Sequence, residues 1–163
     1  MFIVQLACDE DLFPNEDFFE NAEELLSEGK SVELRCTGSS MRPYLRGDGR
    51  EVIVVSPFLP EELIRGVIVM FRYNGKLICH RIVNRNGDRL TIQGDGIIKS
   101  QEHILTSDVI GVVRTIIRSG KICSTQSKTA QCYWCIWLCL TPIRNRLLLP
   151  YKVVAKVKRQ LKK

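Results

Sequence analysis

Six β-type runs, the first of them alternating apolar and polar residues with a period of two, restrict the fold of this chain more than any other feature of the sequence. From Ser31, the apolar Val32, Leu34 and Cys36 alternate with Glu33 and Arg35, and similar runs recur at 50–55, 66–72, 76–83, 88–93 and 109–118. Residues two apart share one face of a strand, so each run can give one face to a core. Gly47-Asp48-Gly49, Asn74-Gly75, Asn86-Gly87-Asp88 and Ser119-Gly120 fall between the runs as turn signals. A mainly β domain over residues 31–123 is expected.

Ahead of it, residues 15–29 place Phe18, Ala22, Leu25 and Leu26 at helical spacing, with acids early and Gly29 as a stop. The pattern predicts an amphipathic helix within an N-terminal segment, 1–30. After the β runs, 124–131 is polar and reads as a linker. Cys132–Leu140 is the most apolar stretch, but Pro142 interrupts it too soon for it to span a bilayer. Residues 143–149 and 151–162 then mix Ile, Leu and Val with Arg and Lys, as basic amphipathic helices do. The 163 residues therefore divide into one β domain and two appendages, 1–30 and 124–163.

Charge is distributed as a dipole. Nine of the 18 acidic residues lie in 9–28 and none follows Asp108, whereas eight Lys or Arg lie between Arg144 and Lys163. Such a tail fits an anionic membrane surface reached through 132–163 better than it fits nucleic acid. Seven cysteines suggest no disulfide framework, and Met1–Cys8 lacks the basic start of a secretory signal. Reduced thiols and a cytoplasmic, peripherally membrane-associated protein are expected. Cys132, Cys135 and Cys139 share one helical face with no fourth ligand at a metal-site spacing, so no metal or organic cofactor is expected.

The chemistry concentrates in three segments. Thr37-Gly38-Ser39-Ser40-Met41-Arg42-Pro43 leaves a β run and enters a Gly-rich turn, where a serine hydroxyl can be presented on fixed backbone. Cys79-His80-Arg81-Ile82-Val83 puts a histidine in a later run, and Gln93-Gly94-Asp95-Gly96 puts a carboxylate in a turn. In order these supply a nucleophile candidate, a base candidate and an acid.

These segments, with Arg65-Gly66-Val67-Ile68-Val69-Met70-Phe71, resemble the type I signal peptidase family, within the superfamily that also holds the LexA-type repressors. The resemblance covers roughly 30–118. It implies a LexA/signal-peptidase-like β-fold and a serine endopeptidase, with Ser40 as nucleophile, His80 as general base and Asp95 as its supporting acid. Glu102 is a second candidate for that acid. Gly38 and Met41 would supply backbone support for an oxyanion. Bacterial leader peptidases place lysine where this chain has His80; the histidine form is similar to the archaeal and endoplasmic-reticulum branch. A neutral imidazole can accept the Ser40 proton without the desolvation that a lysine needs. The implied substrate is an extended peptide or precursor protein docked as an added strand.

The sequence departs from the pattern at Val67, where the family has aspartate, and at Gly96, where it has asparagine. Many signal peptidases also carry serine where Gly38 stands. No transmembrane anchor is read ahead of Ser40. Two alternatives follow: a peptide-binding module that keeps the fold without the activity, and a LexA-type regulator. The latter lacks the Ala-Gly or Cys-Gly cleavage site before its nucleophile.

Overall fold

The computed structural model describes residues 3–4, 16–73, 76–140, 143 and 146. Its fold is mainly β, and the alternating runs become its strands: β1 (Ile3–Val4), β2 (Val32–Thr37), β3 (Asp48–Ser56), β4 (Ile68–Tyr73), β5 (Lys76–Asn86), β6 (Arg89–Gln93), β7 (Glu102–Leu105), β8 (Val109–Arg118) and β9 (Lys121–Ser124). They form one sheet in the order β1-β2-β3-β8-β4-β5-β6-β7, with β9 added on β8. Every pairing is antiparallel except β1 on β2.

The sheet separates two cores. Along β4, Ile68 and Met70 enter a core with Leu34, Met41, Leu45 and Ile53, while Val69 and Phe71 enter another with Ile82, Leu90, Ile92 and Val112. A strand buried on both faces reads as a continuous apolar run, which is why β4 shows little alternation. The expected N-terminal helix is α1 (Glu16–Ser27), which adds Ala22 and Leu26 to the first core. Arg72 clamps it to the sheet through Glu23 at 2.7 Å.

A second helix, α2 (Lys128–Cys139), occupies part of the region expected to be linker and tail. The polar stretch supplies its start: Ser127 Oγ accepts from Ala130 N at 3.2 Å, satisfying one of the free N–H groups of the first turn. Thr125 Oγ1 donates to Val113 O at 2.6 Å and ties the connection to β8. Ala130, Trp137 and Leu138 are buried, so α2 belongs to the domain. The expected basic helices over 143–149 and 151–162, and the Asn74-Gly75 turn, lie outside the described residues apart from Ile143 and Arg146. No helix among the described residues is long and apolar enough to cross a membrane.

Candidate active site

The loop between β2 and β3 carries Ser40. Gly38 N donates to Gly47 O at 3.0 Å and closes the loop at its base. A side chain at Gly47 is excluded, since its Cβ would lie 1.7 Å from Gly38 O and its φ is +58°. Met41 and Leu45 are driven into the first core, which anchors the loop from one side. Buried Glu51 anchors it from the other, accepting from Arg46 N at 2.6 Å and from Arg118, which in turn donates to Tyr44 O at 2.7 Å. Between these anchors Ser40 is half-buried, and its Oγ makes no hydrogen bond among the described residues. The backbone N–H groups of Ser39, Ser40 and Met41 likewise donate to no acceptor among them. A rigid loop with a disengaged hydroxyl beside disengaged amides can host a nucleophile and an oxyanion site.

His80 lies on β5, on the same face as Ile78 and Ile82, and is only 3% exposed. Its Nδ1 is 3.2 Å from Glu102 Oε2 on β7. An ionised carboxylate only accepts, so this contact assigns the proton to Nδ1 and leaves the lone pair on Nε2. Nε2 is buried and has no hydrogen-bond partner among the described residues. Burial pushes the imidazole below its ordinary pKa, and Glu102, then Asp95, draw it part of the way back up. The ring is therefore a neutral base at neutral pH.

Ser40 and His80 meet across Gly94. A Cβ on Gly94 would lie 2.5 Å from Ser40 O and 3.0 Å from His80 Nε2, so both atoms press on the same side of this residue. Two positions on, Gly96 N donates to Ser40 O at 2.7 Å. The turn after β6 thus packs directly on the serine loop. No hydrogen bond joins Ser40 Oγ to His80 Nε2.

Asp95, between the two glycines, does something other than expected. Its carboxylate takes both arms of Arg81, Nε at 2.9 Å and Nη2 at 2.8 Å, and the third guanidinium nitrogen donates to Gly66 O at 2.7 Å. Both side chains are nearly inaccessible, at 3% and 2%. The Arg81 guanidinium also lies over the rings of Tyr44 and Tyr133, at 4.7 and 5.8 Å. The carboxylate hydrogen-bonded to His80 is therefore that of Glu102 and not that of Asp95. Adjacent residues of a strand point to opposite faces, so Arg81 and His80 diverge, and Asp95 follows Arg81.

The other expected residues fall as follows. Gly38 closes the loop and its N–H is already spent on Gly47, so it is not an oxyanion donor; Met41 keeps a disengaged N–H while its side chain enters the core. Cys79 faces the first core, away from His80. Cys132, Cys135 and Cys139 are exposed on one side of α2. Sequence reasoning overlooked Trp137, whose indole Nε1 donates to Asp95 O at 3.1 Å. A tryptophan within the apolar run of 132–140 gave no hint that its N–H is aimed at a turn 42 residues earlier. Compared with models of known protein families and with curated proteins, the chain matches none.

Proposed function

We propose that this protein is a serine endopeptidase of the signal-peptidase-like type, working through Ser40, His80 and Glu102. The observation that carries the reading is the state of His80: a buried imidazole whose Nδ1 is committed to a carboxylate and whose Nε2, against the Ser40 loop, has no hydrogen-bond partner among the described residues. A histidine kept only for packing satisfies both nitrogens or exposes one to water.

In the proposed reaction Ser40 Oγ attacks a peptide carbonyl and His80 Nε2 takes its proton. Glu102 stabilises the imidazolium through Nδ1–H. The oxyanion of the tetrahedral intermediate accepts from the backbone N–H groups of Ser40 and Met41. His80 then returns the proton to the leaving amine, and water hydrolyses the acyl-enzyme with His80 again as base. The Ser40–His80 hydrogen bond forms as the substrate closes the site, since such contacts are loose in unliganded enzymes. The substrate class, an extended peptide segment, comes from the resemblance to the signal peptidase family. An anionic membrane surface remains the partner proposed for the basic tail, now without Trp137 and Leu138, which are buried in the fold.

The experiment is covalent trapping: an activated acyl ester labels Ser40, located by intact mass and peptide mapping, and Ser40→Ala is the blank. A protein that binds peptides but never acylates Ser40 is the binding module instead.

A further inference from the structure

We infer that Trp137, on the buried side of α2, is a positioning residue that holds the Gly94–Gly96 turn against Ser40 and His80. For rates this role rests on the endopeptidase reading; the contacts themselves do not depend on it.

The turn needs an external constraint. Gly94 and Gly96 flank Asp95, and two glycines in three residues leave the backbone free to move. Gly94 is nonetheless the surface on which Ser40 O and His80 Nε2 rest, and Gly96 packs on Ser39 O and Ser40 O. Two groups fix the residue between them. Arg81 holds its side chain, and Trp137 Nε1–H holds its carbonyl.

The rest of α2 is arranged around the same point. Tyr133 stacks on Trp137, with ring centroids 5.9 Å apart and planes 13° apart, and its ring also lies 5.8 Å from the Arg81 guanidinium. The Trp134 ring covers Gly66, the residue whose carbonyl receives Arg81; a Cβ there would lie 2.3 Å from Trp134 Cε2. All three aromatic residues of the helix thus converge on the Arg81–Asp95 pair. Losing the indole donor leaves a buried carbonyl unpaired and Asp95 held through its side chain alone.

Trp137→Phe tests this, because it keeps an aromatic ring and removes the donor. The first readout is amide exchange at Gly96, whose N–H is bonded to Ser40 O: it speeds up about tenfold, the size of one lost hydrogen bond, while the β2–β3 ladder keeps its protection. The second is Ser40 acylation by a p-nitrophenyl ester, which slows by a similar factor. Its acid limb moves up toward the ordinary histidine value as water reaches His80, whose charged neighbours are Glu102 on β7, Asp95 in the turn and Arg81 beside it on β5. Ile136→Ala, on the exposed side of α2, changes neither readout. If Trp137→Phe costs the ladder its protection, Tyr133→Leu takes its place with the same expectation. Unchanged exchange at Gly96 overturns the positioning role, and faster exchange with unchanged acylation overturns its catalytic part. A wild-type protein that never acylates Ser40 defeats the endopeptidase reading, and exchange at Gly96 still decides whether Trp137 holds the turn.

Discussion

His80 Nδ1 reaches Glu102 Oε2 at 3.2 Å, past the end of the intervening strand β6, while its neighbour Arg81 is locked onto Asp95 on the other face of β5. Two acids that the sequence left in competition have separate tasks: one serves the histidine, the other holds the turn.

Their substitutions should therefore differ in kind. Glu102→Gln keeps the melting temperature near wild type and slows Ser40 acylation by on the order of 10²–10⁴, as loss of the acid behind a catalytic histidine does. Asp95→Asn leaves the Arg81 charge buried without its partner and costs about 3–5 kcal/mol of stability. Thermal melts beside acylation rates separate the two.

The pH profile carries a signed expectation. Burial favours neutral His80, so acylation rises with pH through an apparent pKa below the ordinary histidine value of about 6.5. Glu102 draws the imidazole up, so Glu102→Gln moves the limb lower still. Because the folded pKa is the depressed one, His80 supports stability above about pH 6.5, and that support is lost as pH falls through the folded value. A limb above pH 8 contradicts histidine as the base.

Gly94→Ala pushes a methyl group onto Ser40 O and His80 Nε2 at once. Misplacement of this kind costs on the order of 10²-fold in rate. Acylation kinetics of the folded variant check it; wild-type rates would mean that the two residues need not meet at Gly94.

The strands were legible because one buried face imposes a period of two, as at Val32, Leu34, Ile53 and Val55. β7 and β9 were not, for physical reasons. β7 is four residues long with one buried side chain, Ile104, and every residue of β9 is exposed, so neither carries a pattern. α2 was obscured because its burial rests on Ala130, Trp137 and Leu138, with Ile136 left exposed, and apolar content alone does not say which side meets the domain. Ser40 and His80 stood out through their motifs. The choice between Asp95 and Glu102 needed the sidedness of His80 and Arg81 along β5, and that was available from strand geometry alone.

The basic tail gives a fourth expectation. Deleting 141–163 abolishes co-sedimentation with anionic vesicles at low salt and leaves Ser40 acylation intact, whereas deletion from 128 onward removes α2 and acylation together. Retained vesicle binding after the shorter deletion would place the contact elsewhere.

The most direct measurement is site-resolved mass spectrometry of the protein after exposure to an activated acyl ester, compared with Ser40→Ala and His80→Ala. Wild-type protein should carry one acyl group on Ser40, Ser40→Ala none at that position, and His80→Ala should be labelled slower by several orders of magnitude. Wild-type protein unlabelled at Ser40, or labelled equally fast without His80, contradicts the proposed function.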